Sequence, residues 1–504
     1  MGCSANSVAC SKNTNTTFLK NGTIIISIKN FVIQNTDAMR SHYKPICKIS
    51  NGDFAKVFTV THLHTNTQRI MKIISIDLIK ASILSNPRSD PTNYEVFVLA
   101  GIDHPNIQKV YEYFTDDNYY YIILEYVDGK SILEYIIRSY SNITEATIAR
   151  YFKQIISSLV YLHKYNYVYG NINDNNIIVM NNKEQTIKLT GFSLIKQLPE
   201  TGKNNFITKI VNSSENKNYI SPEMIIYKRY NTASDIWACG VLLYKLITGV
   251  YPNININDKI SLYKETNEFK ALNSHLQDMI TKMLTIDDSQ RITADKLINH
   301  PWFNLINSSS NDNNKNIHNE NNSLAQLGLL NNLSQEKLKT ATEAYIIHQM
   351  ANNKLIDKLR QQFMLCDKSC DGLISRNELK QMLTSFDKNH YTELEIDELM
   401  NEIDQDKSGE ISFEEFMRVM INYETILTKQ NLQNAFNFFD KDKTGTLSVH
   451  ELKDIFSSTQ LSDSVIGANN EAIDKYISEL LDKYDTNKDG QLSFDEFVNL
   501  MNYK

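Results

Sequence analysis

Asp485-Thr486-Asn487-Lys488-Asp489-Gly490-Gln491-Leu492-Ser493-Phe494-Asp495-Glu496 carries side-chain oxygens at its first, third, fifth and twelfth positions and glycine at its sixth. A hard divalent cation such as calcium takes about six to eight oxygens, and a loop of this length offers them from positions 1, 3, 5, 7, 9 and 12, with glycine at 6 for the turn. Position 7 lends its main-chain carbonyl, so its side chain is not constrained. The candidate ligands here are Asp485, Asn487, Asp489, Gln491 and Glu496.

Working outward, the pattern recurs three times upstream. One loop has Asp367, Ser369, Asp371, Gly372, Leu373 and Glu378. The next has Asp404, Asp406, Ser408, Gly409, Glu410 and Glu415, and the third has Asp440, Asp442, Thr444, Gly445, Thr446 and Glu451. Each offers three carboxylates and neutral oxygens. Position 8 is apolar every time (Ile374, Ile411, Leu447, Leu492), which suits a short β-bridge between paired loops. Apolar residues flank the loops at helical spacing: Leu359 and Phe363, Leu379 and Met382, Phe436 and Phe439, Leu452 and Ile455. The spacing predicts four EF-hands in an all-α calmodulin-like domain over 363–504, with loops at 367–378, 404–415, 440–451 and 485–496. Methionines at 382, 400, 417, 420 and 501 fit either a sensor groove or ordinary core packing.

The rest of the 504-residue chain is bounded by composition. Hydrophobic residues make up 41 % and the net charge is -7, which argues against a basic nucleic-acid face. Six scattered cysteines at no zinc spacing suit a reduced, cytoplasmic protein. No apolar run reaches the roughly 18 residues of a membrane span. The opening Met1-Gly2-Cys3-Ser4 predicts myristate on Gly2 and palmitate on Cys3, although Asn6 stands where the motif wants Ser or Thr. Two acyl chains would hold the chain at the cytosolic face of a membrane. Residues 1–42 read as unpacked, 43–303 as alternating strands and helices, 304–323 as an Asn-rich linker, and 324–362 as a helical junction.

Within 43–303 several segments resemble a protein kinase. Ile70-Met71-Lys72 is similar to the lysine strand, and Glu95 stands ahead of Asp103-His104-Pro105-Asn106 where a helix glutamate would pair with that lysine. Ser221-Pro222-Glu223, Asp235-Ile236-Trp237 and Arg291 before His300-Pro301-Trp302 follow in the family's order. Kinase, junction and four EF-hands together resemble the calcium-dependent protein kinase family. The resemblance implies an α+β, two-lobed kinase fold followed by the helical calcium domain. It also implies ATP and Mg²⁺ as ligands, and a junction that blocks the active site until calcium acts, with Lys337 and Lys339 as its basic element.

The active-site motifs depart from that pattern. The glycine loop Ser50-Asn51-Gly52-Asp53-Phe54-Ala55-Lys56-Val57 keeps Gly52 and Val57 but loses two glycines. Ile70 stands where the alanine over adenine belongs. The catalytic loop reads Tyr169-Gly170-Asn171-Ile172-Asn173-Asp174-Asn175-Asn176, so the base aspartate is Asn171, the phosphate-contacting lysine is Asn173, and the metal ligand Asn176 is kept. The metal motif reads Gly191-Phe192-Ser193, without a carboxylate. Each electrostatic loss in a dry site costs roughly 3–4 kcal/mol, and two of them predict transfer slower by roughly 10⁴-fold or more. Three functions are open on this basis: a calcium sensor whose pseudokinase domain binds an unidentified protein, a weak calcium-regulated Ser/Thr kinase that uses Asp174 or another carboxylate, or a calcium buffer. ATP and Mg²⁺ are in question under the first.

Overall fold

The computed structural model describes residues 32–35, 38–51, 55–77, 91–139, 143–182, 186–198, 214–255, 262–308, 337–349, 354–386, 391–421, 426–456 and 470–502. Its first sheet has six strands: β1 (Ile33–Asn35), β2 (Tyr43–Asn51), β3 (Lys56–His62), β4 (Gln68–Ser75), β5 (Val110–Thr115) and β6 (Tyr119–Glu125), in the order β1-β5-β6-β4-β3-β2. Neighbours from β2 to β6 are antiparallel, whereas β1 runs parallel to β5 with Ile33 opposite Glu112. Asn35 donates to the Glu112 carboxylate at 3.1 Å, so the sheet takes in part of the segment expected to be unpacked.

Period-two alternation sets the faces of β4. Arg69 and Met71 are buried on one face, while Ile70 and Lys72 share the other. The following lobe is built on two long helices. Glu145–Lys164 starts at Thr144, whose hydroxyl accepts the Thr147 N–H. Thr232–Thr248 starts in a capping box of Asn231 with Ser234 and stops at Gly249 at φ 80°. Such caps satisfy donors that the first helical turn leaves unpaired.

Two buried charge sets lock this lobe. Arg291 pairs with Glu223 at 2.8 Å with both side chains essentially inaccessible, and its guanidinium lies 5.1 Å from the Trp237 ring. Asp235 accepts from the Tyr169 and Gly170 N–H groups at 2.9 and 2.8 Å, from Tyr230 at 3.1 Å, and pairs with His163 at 2.9 Å. It thereby fixes the backbone just ahead of Asn171. The whole is the α+β kinase fold followed by helical EF-hand pairs.

Helices flank all four loops, and each pair closes with a two-residue antiparallel bridge, Ile374 opposite Ile411 and Leu447 opposite Leu492. The chain divides into two compact units. One joins the kinase-like region with residues 347–423, which include the first EF-hand pair. The other joins the 334–346 stretch of the junction with residues from 424 onward, which include the second pair.

In the second unit residues 337–346 of the junction helix (Lys337–Gln349) lie on the EF-hand pair. Tyr345 stacks on Phe438 with ring centroids 4.4 Å apart, and the Leu338 N–H donates to the Tyr476 hydroxyl at 2.9 Å. Leu338, Ala341, Ala344 and Tyr345 are all buried, as are Thr340, Thr342 and Glu343. In the first unit the helix end meets the kinase sheet. Arg69 lies 3.9 Å over the Tyr111 ring and donates to the Gln349 carbonyl at 3.0 Å, and His348 packs edge-on to Tyr111. That contact is on the β4 face opposite Lys72.

Candidate functional sites: the kinase cleft and the calcium loops

Lys72 and Glu95 meet. The ammonium and carboxylate are 2.5 Å apart, brought together by β4 and the Pro91–Ala100 helix, and Val57 on β3 is the register partner of Lys72. Gly52 lies outside the described residues, as do Gly2 and Cys3.

The catalytic-loop asparagines form a closed amide network. Asn171 donates through Nδ2 to the Gly191 carbonyl at 2.8 Å. Asn176 donates to the Asn171 carbonyl at 2.9 Å, and the Asn173 side chain donates to it at 3.2 Å. The Asn173 Oδ1 accepts the N–H groups of Asn175 and Asn176 at 2.9 and 3.1 Å. A primary amide takes no proton near neutrality, so Asn171 cannot act as a base.

Gly191 stands at φ 76° and ψ 47°, in the left-handed region that glycine occupies without strain. A Cβ there would lie 2.6 Å from Asn176 Oδ1. The Asn176 amide thus occupies room that a side chain at 191 would need. The nearby carboxylate, Asp174, is already engaged: its Oδ1 accepts from the Tyr219 hydroxyl at 2.6 Å and from Lys245 at 3.1 Å. As placed, Asn171, Asn173, Asn176 and Gly191 offer Mg²⁺ no carboxylate, which is a poor fit for a hard cation.

The calcium loops share one geometry. In each, the first aspartate accepts the glycine N–H on Oδ2, at 2.9 Å for Asp367 and Asp440 and 2.8 Å for Asp404 and Asp485. The twelfth glutamate accepts the position-9 N–H at 2.9 Å in all four loops, from Ser375 to Glu378, Ser412 to Glu415, Ser448 to Glu451 and Ser493 to Glu496. Position 4 is left-handed each time (Cys370, Lys407, Lys443, Lys488), which turns the loop inward. Asp404, Asp406 and Glu415 bring carboxylate oxygens within 4.8 Å of one another, and so do Asp440, Asp442 and Glu451.

Burial pushes the Asp367 carboxyl up to about 7, with the charges of Asp371 and Glu378 adding to the effect and the Gly372 N–H opposing it. Burial likewise takes Glu415 to about 7, with Asp406 beside it. Buried, crowded carboxylates are costly unless a cation neutralises them. The donor set therefore fits calcium.

Two features were not readable from motifs. Asp174 is tied to Lys245, a residue of the Thr232–Thr248 helix with no motif spacing to it. Both loops of the first pair also touch the kinase domain: Lys164 bonds Asp371 of the first loop and Glu410 of the second, and the Glu414 N–H donates to Asp103 at 2.6 Å. Opposite charge on an exposed helix end was the sole available hint.

Comparison with known proteins matches the two regions that contain these sites. The protein kinase domain family matches residues 43–303, and the EF-hand domain pair matches 356–421 and again 429–502. Calcium-dependent protein kinase 4 of Plasmodium falciparum (isolate 3D7) is 30 % identical over 497 residues, covering 94 % of this chain and 89 % of that protein. The protein of the same name from Plasmodium berghei is also 30 % identical with the same coverage. Calcium-dependent protein kinase 14 of Arabidopsis thaliana is 27 % identical over 474 residues, covering 92 % and 84 %.

Proposed function

The chain belongs to the calcium-dependent protein kinase family, and on that premise we propose that it is a calcium sensor whose kinase domain acts by binding rather than by phosphoryl transfer. The observation that carries this is the Asn171 amide bonded to the Gly191 carbonyl, an amide and a bare glycine standing where the family pattern has a base and a metal-binding carboxylate. The buried pairs that hold the fold, Arg291 with Glu223 and Lys188 with Glu125, are intact around it. In this reading calcium occupies all four loops and alters which protein partner the kinase domain or the junction holds. ATP and Mg²⁺ play no catalytic part.

The test is phosphate transfer from radiolabelled ATP to a generic basic peptide and to the chain itself, with calcium and with chelator. The expected result is no turnover above background in either condition. Calcium-dependent turnover that disappears in Lys72→Met would overturn the proposal. It would establish the second reading, a weak Ser/Thr kinase, which the intact Lys72–Glu95 pair favours. Pure buffering is the third reading. It gives no reason for the first EF-hand pair to pack on the kinase domain.

The acylation of Gly2 and Cys3 is proposed from sequence, with the cytosolic face of a membrane as the site. No helix among the described residues is long and apolar enough to cross a membrane. Labelling with a myristate analogue, compared with Gly2→Ala, tests the anchor, and equal labelling of the two would remove it.

A further inference from the structure

The first calcium loop is seated on the kinase domain. Leu373, at its seventh position, is 4 % exposed and belongs to the same hydrophobic core as Ile107, Ile155 and Leu159. A Cβ on Gly372 would stand 2.2 Å from His104 Cδ2 and 3.1 Å from Tyr161 Cδ2, so the loop backbone lies directly against those rings. At the rim of this contact Lys164, the last residue of its helix, reaches both loops of the pair. Its Nζ lies 2.9 Å from Asp371 Oδ2, and 2.9 and 2.7 Å from the two carboxylate oxygens of Glu410. Asp371 is the fifth-position ligand of the first loop. Glu410 is at the seventh position of the second, where the carbonyl and not the side chain faces the cation.

We propose that Lys164 is an outer-shell determinant of calcium affinity: a kinase-domain cation that holds down the affinity of the first EF-hand pair, and whose grip on that pair calcium weakens in turn. The proposal rests on the reading that loops 367–378 and 404–415 bind calcium.

The sign follows from which oxygen Lys164 touches. Outer-shell partners commonly strengthen metal binding by orienting a ligand. Here Asp371 Oδ1 is already held within the loop by the Ser369 hydroxyl at 3.0 Å and the Leu373 N–H at 3.2 Å. Lys164 takes the other oxygen, so the orientation of Oδ1 does not depend on it. What remains is repulsion between the ammonium and a dication held by the same Asp371 carboxylate. The lysine side chain is 35 % exposed, so solvent and salt screen the effect and keep it modest. Linkage requires the converse: if Lys164 lowers calcium affinity by some factor, calcium weakens the Lys164 contact by the same factor.

The test is calcium titration of the full chain by chelator competition at low salt, for the parent, Lys164→Gln and Lys164→Arg. In Lys164→Gln two of the sites should tighten by about three- to tenfold, the size expected of one screened charge, while the others stay put. Lys164→Arg, which keeps the charge, should match the parent, and added salt should shrink the difference. Unchanged or weaker binding in Lys164→Gln overturns the proposal, as does an equal shift in Lys164→Arg. Glu378→Gln and Glu415→Gln assign the sites: each should remove one of the two that tightened. If both variants bind as much calcium as the parent, the calcium reading of these loops falls, and the proposal with it.

Discussion

Gly191 is confined by both its backbone and its neighbour. Its left-handed backbone admits glycine without cost, and the Asn176 amide lies where a side chain would begin. Gly191→Ala should therefore cost about 1–2 kcal/mol from the left-handed conformation, and its contact with Asn176 adds to that. A fall in the unfolding midpoint of several degrees is the check. The same geometry predicts that Asn171→Asp with Gly191→Asp does not restore phosphate transfer, because a carboxylate at 191 must first displace Asn176. Transfer rising well above background in the double variant would show that Asn176 yields. Arg291 makes the opposite case. Its pair with Glu223 is fully desolvated, so Arg291→Ala leaves a buried, unpaired carboxylate and should cost about 3–5 kcal/mol. Denaturant unfolding followed at the kinase domain measures it. The identities at 171, 173 and 191 were plain in the sequence because kinase motifs are short and local. What those residues do instead was not, since the hydrogen bond from Asn171 to Gly191 depends on the fold that brings the two segments together.

The junction helix carries its information in spacing. Leu338, Ala341, Ala344 and Tyr345 fall on one stripe and are buried, but so are Thr340, Thr342, Glu343, Ile346, Ile347 and His348, so the helix is covered on more than that stripe. Its partner was not legible, because an apolar stripe specifies that it is covered and not by what. Within the second unit the cover is the aromatic face of Phe438 and Phe439, against which Tyr345 stacks. The methionines singled out as groove candidates, Met382, Met400, Met417, Met420 and Met501, are likewise buried. With the junction helix in place the second pair should bind little hydrophobic dye without calcium. Tyr345→Ala removes the stacked ring, a loss of about 3–5 kcal/mol if the site does not collapse. Dye fluorescence without calcium should then rise well above the parent's, and an unchanged signal would mean that the helix stays down without its anchor. The turn geometry of the four loops follows their sequence pattern, with the sixth-position glycine left-handed in each, because twelve consecutive positions set it. The parallel β1–β5 pairing was not legible, because a three-residue strand gives no periodicity to detect.

At the scale of the whole chain, the division into units separates the two EF-hand pairs. The first shares a unit with the kinase-like region and the second does not. Sequence analysis grouped all four hands in one domain, since the loops repeat in register and nothing local marks Leu373 as part of another core. That residue's burial among kinase side chains has a measurable consequence. Trp237 and Trp302, the two tryptophans of the chain, are both buried in the kinase core, so their fluorescence reports on that unit alone. A ligand that binds the native state stabilises it by about 2.7 kcal/mol per site at a hundred times its Kd. Calcium should accordingly raise the tryptophan-detected unfolding midpoint by several degrees, and chelation should remove the rise. Glu378→Gln with Glu415→Gln should abolish it, because those glutamates close the two loops packed in the kinase unit. Glu451→Gln with Glu496→Gln should leave it in place, since those loops belong to the other unit. An equal loss in both double variants would mean that the kinase unit senses the second pair as strongly as the first, and the first pair's seat on the kinase core would not be what couples calcium to it.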